Sequence, residues 1–321
     1  MLKEVSNSIN CADSKVSVLE DVFDVLRFKG SIFFSSSLSS PWGMSLSKVD
    51  SPRFHVALQG NFFIGTAASK NQYIEVNQMD IVVLPHGNMH WVADQTNRQL
   101  IPSEQAGAAC ELGQPLFQQG EITNRLMCGI VKFDKKNQHP ILTSLPEALH
   151  FRNLAPNDPI WMMVMLLNAE ISKWNNHQTP IVDRLTEALF LQLLNKYALE
   201  HTQSSGFFAA LGNKRIHKLL SLVHQAPQVN WTLELLGEKV GMSRATLGRK
   251  FKDTLGMTPM AYIANWRLVK ANHLLKYSNK SLEHVAEQVG FYSARTLSKA
   301  FSRQYGYTPS EMRRQMNTKS T

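Results

Sequence analysis

The 321-residue chain is poor in cysteine, and its three cysteines lie far apart at positions 11, 110 and 128. An odd number of thiols without a C-x-x-C pair argues against a disulfide framework and against a cysteine zinc site. Long hydrophobic runs are also lacking, since the longest, IWMMVMLL at 160–167, is far shorter than a membrane span. The first residues, MLKEVSNSINCADSK, lack the apolar stretch of a secretory signal. These absences predict a cytoplasmic protein without a membrane partner.

Acidic residues are scarce in the C-terminal third of the chain. Residues 206–321 contain 18 lysines and arginines against 6 aspartates and glutamates, whereas the first 205 residues contain 16 basic and 19 acidic residues. A localised basic excess of this size is typical of a domain that binds a polyanion. A well-solvated basic surface is the alternative, and it suits a smaller excess better.

One stretch of this basic region is written twice. It reads TLELLGEKVGMSRATLGRKFKDTLGMTP at 232–259 and SLEHVAEQVGFYSARTLSKAFSRQYGYTP at 281–309. The second copy has one residue more, Tyr292 or its neighbour, directly after a glycine. A turn accommodates such an insertion without disturbing the faces of the helices on either side. The repeat therefore predicts two structural units of one kind.

Each copy predicts a helix, a tight turn and a second helix. A threonine or serine precedes each helix as an N-cap, and Gly241 and Gly290 suit the left-handed conformation that ends the first helix. Apolar residues recur at the i, i+3, i+7 spacing of one helix face. Gly237 and Ala286 lie inside the first helices, where a small residue predicts a closely crossing second helix. This pattern is that of a helix-turn-helix, with units at 231–254 and 281–304.

The second helix of each copy has a basic outward face, because Leu247 and Leu297 take the inward one. Arginine and lysine side chains reach guanine edges in a DNA major groove, and serine contacts several bases. Contacts to phosphate alone are the alternative for some of these residues. The candidate DNA-contacting residues are Arg244, Ala245, Gly248, Arg249, Lys252, Ala294, Arg295, Ser298, Lys299, Ser302 and Arg303.

A long helix is predicted between the copies, with Thr258 as N-cap, Pro259 at its first position and its end near Tyr277. At 1.5 Å per residue, a helix of this length spans about 28 Å. Successive major grooves on one face of DNA lie about 34 Å apart. We expect the duplicated units to enter two consecutive grooves of one duplex.

Residues 214–315 resemble the DNA-binding domain of AraC/XylS-type transcription regulators. The resemblance rests on the two helix-turn-helix copies, the linking helix and the G-x-T-P ending of both copies. It implies recognition helices at 244–254 and 294–304. Gly248 departs from the pattern, since it offers no side chain and weakens its helix.

The N-terminal half is rich in short β-type runs separated by turn residues, among them SIFFSSSL, RFHVALQGNFFIGT, QYIEVNQMDIVVLP and MCGIVKF. Such runs predict a small sandwich or barrel. The P-x-G-x-x-H pattern at 85–90, with His55 upstream, resembles the cupin barrel. Together the two halves resemble AraC-type regulators with a cupin-like sensor domain.

A small barrel can hold one ligand, or its aromatic residues can simply fill it. The candidate effector-pocket residues are Trp42, His55, Phe62, His86, His90 and Trp91. His55, His86 and His90 are also conceivable metal ligands. Metal cupins resemble H-x-H followed by glutamate, whereas VALQ follows His55 here. We therefore expect neither a metal nor a cofactor.

Helical periodicity returns at 157–200. A stripe of Leu185, Leu189, Leu193 and Tyr197 pairs with a second chain or packs on its own barrel. The resemblance implies that this is the dimerisation segment. HTQSSG at 201–206 is a polar stretch between the domains.

The sequence as a whole predicts a two-domain α+β protein. A cupin-like β-barrel at about 20–150 with helices at about 157–200 forms a domain over 1–200, a linker spans 201–213, and an all-α domain spans 214–321. We expect a homodimeric, cytoplasmic, nucleoid-associated transcription regulator of promoter DNA that is controlled by a small-molecule effector and contacts RNA polymerase if it activates. The alternatives are a DNA-binding protein independent of ligand and a metal-dependent cupin enzyme, although we expect no enzymatic activity.

Overall fold

The computed structural model describes residues 11–66, 73–112, 114, 116–133, 136–137, 139–173, 179–201 and 206–317. The chain divides into two compact units. The β unit comprises Phe28–Phe133 and Leu145–Leu194, and the helical unit comprises Met1–Arg27, Asp134–Ser144 and Asn195–Thr321. The helical unit therefore takes two of its three segments from the N-terminal half of the chain.

Two five-stranded sheets form the framework of the β unit, with strand orders β1-β9-β3-β6-β10 and β5-β4-β7-β2-β8. The strands are β1 (Lys29–Leu38), β2 (Gly43–Leu46), β3 (Arg53–Gln59), β4 (Phe62–Thr66), β5 (Tyr73–Val76), β6 (Ile81–Leu84), β7 (His90–Ala93), β8 (Ile101–Pro102), β9 (Asn124–Lys132) and β10 (Leu149–Phe151). The runs that the sequence singled out lie in β1, β3, β4, β5, β6 and β9. Strands β2, β7, β8 and β10 lie outside these runs and were not predicted.

The two sheets share one apolar core, which draws on Leu38, Trp42, Phe62, Val92, Leu126 and Cys128 among others. His55 lies on β3 and His90 on β7, each the third strand of its sheet. Cys128 on β9 is the cross-strand neighbour of His55. Alternation along the central strands therefore brings polar side chains from both sheets into an otherwise apolar interior.

Helices complete the β unit: α2 (Ser103–Glu111), α4 (Pro159–Lys173) and most of α5 (Pro180–Glu200). On α5, Leu189, Leu193 and Tyr197 are buried within the chain, and Leu185 is half-buried. The predicted stripe therefore packs against its own chain, as the second of the two interpretations requires. On α4 the side chains of Met162, Met165 and Leu166 are about half exposed.

The helical unit contains the long helices that the duplicated sequence predicts. Its helices are α1 (Cys11–Leu26), α3 (Pro140–Thr143), the end of α5, α6 (Phe207–Gly212), α7 (Lys214–Gln225), α8 (Leu233–Val240), α9 (Arg244–Leu255), α10 (Pro259–Tyr277), α11 (Leu282–Val289), α12 (Ala294–Tyr305) and α13 (Pro309–Asn317). The predicted linking helix is α10, and both of its predicted ends are confirmed.

The first helix, α1, was not predicted from the sequence. Val18, Leu19, Val22, Val25 and Leu26 are buried, at the spacing of one helix face. Residues 20–26, which the sequence placed at the start of the barrel, are the last turns of this helix and belong to the helical unit. The predicted linker contains α6, while its residues 202–205 lie outside the described residues. The domain boundaries at 200 and 214 remain a prediction.

Within the described part of the chain, no helix combines the length and apolar character needed to span a membrane.

Candidate nucleic-acid interface

The first helix-turn-helix unit is formed by α8, α9 and the three residues between them. The Thr232 hydroxyl accepts a hydrogen bond from the amide of Leu235 (3.1 Å), and the Ser243 hydroxyl accepts one from the amide of Thr246 (3.3 Å). Gly241 ends α8 at φ 65°, in the left-handed region that favours glycine. These local rules fix both helix starts and the turn, as the sequence predicts.

The glycine inside α8 lies against the turn and the start of the second helix. A Cβ added to Gly237 would lie 2.5 Å from the carbonyl oxygen of Met242, in the turn of the same unit. The expected packing reason at Gly237 is therefore confirmed, although the turn lies nearer than the second helix, whose first amide nitrogen, that of Arg244, would be 3.8 Å from the Cβ. Met242 completes the arrangement by donating its amide to the Gly237 carbonyl (2.8 Å).

The second unit repeats this geometry in α11 and α12. Ser281 caps α11, Gly290 ends it at φ 85°, and Ser293 forms a reciprocal capping box with Thr296. Its turn has four residues instead of three, and Tyr292 within that turn is 99 % exposed. The additional residue of the second copy is therefore accommodated in the turn, as predicted.

The inward faces of the two recognition helices are fully buried. Leu247 and Phe251 of α9, and Leu297 and Phe301 of α12, are each 0 % exposed. All eleven predicted DNA-contacting residues reach the surface: Arg244, Ala245, Arg249, Lys252, Arg295, Lys299 and Arg303 are exposed, and Gly248, Ala294, Ser298 and Ser302 are partly exposed. The structure thus brings the predicted residues to one face of each helix, while their contacts with DNA remain a prediction.

The two outward faces differ in how free their basic side chains are. A guanidinium nitrogen of Arg244 lies 2.8 Å from a carboxylate oxygen of Glu234 on α8. Gly248 stands in open space, with no atom within 4 Å of a Cβ built on it. The face of α9 is therefore flatter and partly neutralised, and α12 presents the more prominent basic side chains.

The linking helix α10 is largely buried, which suits a rigid connector. Ile263, Trp266 and Val269 are at most 1 % exposed, whereas Met260 in the first turn is 40 % exposed. Asn265 of α10 accepts a hydrogen bond from Gln304 of α12 (3.1 Å). Side-chain contacts therefore tie the second recognition helix directly to the linking helix.

In the β unit, three buried side chains form a directed hydrogen-bonded chain. His90 donates from Nδ1 to the carbonyl of Asn88 (2.8 Å), which leaves its Nε2 as an acceptor. His55 Nε2 lies 2.9 Å from that atom and must donate to it. His55 Nδ1 is then the acceptor for the Cys128 thiol, 3.0 Å away. Every ring nitrogen of His55 and His90 therefore has a hydrogen-bond partner, and both imidazoles are neutral.

Burial explains the titration of these groups. It holds the pKa of His55 well below its usual range, and the neighbouring His90 and Arg53 lower this pKa further. It also lowers the pKa of His90 to about 4 and raises the pKa of Cys128 to about 12. Among the residues that the structure describes, no three His, Cys, Asp or Glu side chains are grouped as metal ligands. The arrangement is that of saturated core histidines.

The other predicted pocket residues are divided between different places. Trp42 and Phe62 lie in the core with their ring centroids 6.2 Å apart, and Trp42 donates to Asn124 (2.9 Å). Trp91 follows His90 on β7, so it faces the opposite side of the sheet, where it covers Gly65.

His86 lies in the turn after β6 and contacts the carbonyl of Leu145 (3.0 Å). The six residues are therefore not brought together, and a shared effector pocket stays a prediction.

Comparison with known proteins assigns a domain family to each half of the chain. A family model described as "Cupin" matches residues 17–198, more than half of the chain, and one described as "Helix-turn-helix domain" matches residues 236–315. This chain belongs to the AraC-type transcription regulators with an N-terminal cupin domain.

Full-length relatives support this assignment. The chain is 25% identical to the HTH-type transcriptional regulator AlkR of Acinetobacter baylyi, over 94% of this chain and 100% of AlkR. It is 28% identical to an uncharacterized HTH-type transcriptional regulator of Haemophilus influenzae, over 93% and 99% of the two chains. A putative AraC-like transcription regulator of Streptomyces lividans is 24% identical, over 92% and 97%. The similarity therefore extends over nearly the whole length of these relatives.

In this AraC-type regulator, one buried polar cluster escaped the sequence analysis. His139 accepts the amide of Ile141 at Nδ1 (3.2 Å), so its Nε2 donates towards the Tyr262 hydroxyl (3.4 Å). Tyr262 in turn donates to His224 Nε2 (2.7 Å). His224 stacks on Trp266 with centroids 3.8 Å apart.

Asp21 of α1 ends this chain of contacts, with a carboxylate oxygen 3.6 Å from His224 Nδ1. Burial lowers the pKa of His224 and His139 and raises that of Tyr262. No local pattern in the sequence signals this cluster, because its members come from four distant segments. It joins α1, the residues before α3, α7 and α10 within the helical unit.

Proposed function

We propose that this chain regulates transcription by placing α9 and α12 in two consecutive major grooves of promoter DNA. The observation that carries the proposal is the pair of exposed basic helix faces on a buried connector. Nineteen helical residues of α10 span about 28 Å, close to the groove repeat of about 34 Å. The charge excess of the C-terminal region supplies the attraction to phosphate.

Selection of duplexes from random DNA by the full-length chain tests this proposal, at physiological salt. Enrichment of two short motifs about ten base pairs apart, centre to centre, is the expected result. Salt-sensitive binding without any enriched motif contradicts base reading and indicates attraction to phosphate alone. The full chain is the right material, because α1 and residues 136–144 belong to the helical unit.

Control of DNA binding by a small molecule in the β unit is the second part of the proposal. It is supported by the cupin domain, whose interior carries the polar chain of His55, His90 and Cys128 among apolar residues. A ligand shifts the DNA-binding equilibrium only if it binds the two states with different affinity. The competing candidate, a regulator independent of ligand, is favoured by the complete burial of Trp42 and Phe62.

Native mass spectrometry of the purified chain distinguishes these two candidates. A bound small molecule appears as a mass excess that disappears under denaturing conditions. We expect its removal by unfolding and refolding to change the affinity for the selected duplex. An unchanged affinity and no mass excess support the ligand-independent candidate.

We also propose that the chain is not an enzyme, since its full-length relatives are regulators and the imidazoles of His55 and His90 are already hydrogen-bonded to their neighbours. Metal analysis of the purified chain is the test, and one transition-metal ion per chain contradicts the proposal. We place the regulator in the cytoplasm on the nucleoid, with RNA polymerase as its partner if it activates.

Self-association completes the proposal, and α4 is the surface we assign to it. Met162, Met165 and Leu166 lie at i, i+3 and i+4 and are 48–59 % exposed. The predicted stripe on α5 is already covered by the chain itself. Analytical ultracentrifugation of Met165→Lys is the test. A dimer that survives this substitution contradicts the assignment.

A further inference from the structure

Three residues between β9 and β10 contact the linking helix α10 or the second recognition helix α12, although they come from the N-terminal half of the chain. We call the described residues Lys136, Asn137 and 139–144 the strap. The strap belongs to the helical unit, together with α10 and α12. Its chain continues directly from β9, the strand that carries Cys128.

Lys136 contacts the end of the second recognition helix. Its Nζ donates a hydrogen bond to the carbonyl of Tyr305 (2.8 Å), and Tyr305 is the last residue of α12. The final carbonyls of a helix have no partner inside the helix, and the end carries a partial negative charge. The same ammonium lies 4.4 Å from the centroid of the Tyr307 ring. Lys136 therefore caps the C-terminal end of α12, although it lies in the N-terminal half of the chain.

Asn137 joins the second recognition helix to the linking helix. It is 3 % exposed, and its Oδ1 accepts one hydrogen bond from Asn272 Nδ2 (2.8 Å) and one from the Tyr305 hydroxyl (3.1 Å). Asn272 lies on α10. One amide oxygen of the strap therefore holds donors from both helices at once.

His139 fixes the strap itself. Its ring is 1 % exposed and makes edge contacts with Phe207, Tyr262 and Trp266, at centroid distances of 4.9, 6.0 and 5.9 Å. Tyr262 and Trp266 belong to the first half of α10. The strap thus contacts α10 through His139 near its start and through Asn137 nearer its end, so it is held along the connector.

We propose that Lys136 and Asn137 are positioning residues that fix α12 against α10 and thereby set the distance between the two recognition helices. This inference rests on the proposed function, because a fixed distance matters only to a chain that reads two grooves. Neither residue touches DNA in this role. The strap acts through Tyr305, whose hydroxyl also lies 3.3 Å from the carbonyl of Leu268 on α10.

The preferred spacing of the two DNA motifs is the readout that a merely structural role would not change. Duplexes selected by the full-length wild-type chain are compared with duplexes that have one base pair added or removed between the motifs. For Asn137→Ala we expect the affinity for the preferred spacing to fall about tenfold, because a buried donor loses its partner. Affinity for unrelated DNA at low salt should be unchanged, since no charge is removed.

Matched variants separate positioning from general stability. Asn137→Asp keeps the oxygen that accepts both hydrogen bonds and should restore the spacing preference. Asn124→Ala removes another buried asparagine, 3 % exposed, which accepts the Trp42 indole in the β unit, and should leave the preference intact. Tyr305→Phe removes only one hydroxyl and should lower the spacing preference less, about threefold.

Three outcomes overturn the inference and leave the proposed function standing. One is an unchanged spacing preference in a folded Asn137→Ala chain, and another is an equal loss in Asn124→Ala. If Asn137→Ala fails to fold, an unchanged preference in Tyr305→Phe has the same meaning. Absence of any enriched motif with the wild-type chain overturns the proposed function itself, and the positioning role falls with it.

Discussion

Glu234 and Arg244 form an ion pair across the first helix-turn-helix unit, with 2.8 Å between carboxylate and guanidinium. Glu234 lies in the first turn of α8 and Arg244 is the first residue of α9. Both side chains are largely exposed, at 61 % and 69 %, so the pair contributes little to folding. Its effect is on the outward face of α9, where it neutralises a guanidinium that would otherwise be available to contact a DNA phosphate.

Glu234→Gln should strengthen DNA binding of the full chain. The freed Arg244 gains a phosphate contact, so the plot of log affinity against log salt should steepen by about one. Fluorescence anisotropy with the selected duplex over a range of salt concentrations measures this slope. Glu283→Gln is the matched control, since it removes the same charge at the equivalent position of the second copy. An equal steepening in both variants shows that net charge, and not the pairing of Arg244, is responsible.

Arg295→Ala and Lys299→Ala should each weaken binding to the selected duplex by about 1–3 kcal/mol if the side chains read bases. Both residues lie on the exposed face of α12. The ratio of specific to non-specific affinity, measured by competition, should fall for a base-reading residue and stay constant for a phosphate contact. Lys218→Ala is the control, because Lys218 is exposed and belongs to α7, which is neither of the two recognition helices. Unchanged binding in both α12 variants contradicts our placement of the second recognition helix.

The helix-turn-helix units could be predicted from the sequence because local rules determine them. The hydroxyls of Thr232, Ser243, Ser281 and Ser293 each bond an amide three residues later, and such contacts depend on spacing alone. Gly241 and Gly290 adopt the left-handed conformation for equally local reasons. The close packing at Gly237 has a local cause as well: the turn that blocks its Cβ lies only five residues further on.

Contacts between residues that lie far apart in the sequence account for much of the structure that could not be predicted. The strap contacts Asn272 and Tyr305, which lie 135 and 168 residues further along the chain from Asn137. Strand β8 has two residues and β10 has three, which are too few to show a periodicity. Trp91 was grouped with His90 although neighbouring residues of a strand face opposite sides, so knowledge of the strand was needed to separate them.

Acid should destabilise the β unit through His90. Its pKa is about 4 in the folded chain against an ordinary value of about 6.5, so the unfolded chain binds the proton more readily. This contribution to stability is complete above about pH 6.5 and is lost as the pH falls towards 4. For His90 alone the loss at about pH 5 is about 2 kcal/mol.

His90→Gln should lose less stability on acidification than the wild-type chain, because the titrating group is gone. Urea unfolding midpoints at about pH 7.5 and about pH 5 measure the difference. His86→Gln is the control, since His86 is a half-buried histidine of the same unit. Equal losses in the wild-type chain and in His90→Gln contradict the assignment of the pH dependence to this site.

Two glycines of the first helix-turn-helix unit should respond in opposite ways to the same substitution. Gly248→Ala should stabilise the chain by about 1 kcal/mol, because alanine favours a helix interior and the position is open. Gly237→Ala should destabilise it by about 1–3 kcal/mol, because the new Cβ would lie 2.5 Å from the Met242 carbonyl and force the turn to move. Thermal melting of both variants measures the two effects.

Besides its effect on stability, Gly248→Ala should change the affinity of the chain for DNA. Gly248 lies on the outward face of α9, where the absence of a Cβ lets the helix backbone approach a groove closely. We therefore expect Gly248→Ala to bind the selected duplex more weakly although the folded chain is more stable. Loss of affinity together with gain of stability separates contact with DNA from folding, since a folding defect would lower both. Unchanged affinity in the more stable variant shows instead that the middle of α9 stays clear of the DNA, and that α12 carries the sequence reading.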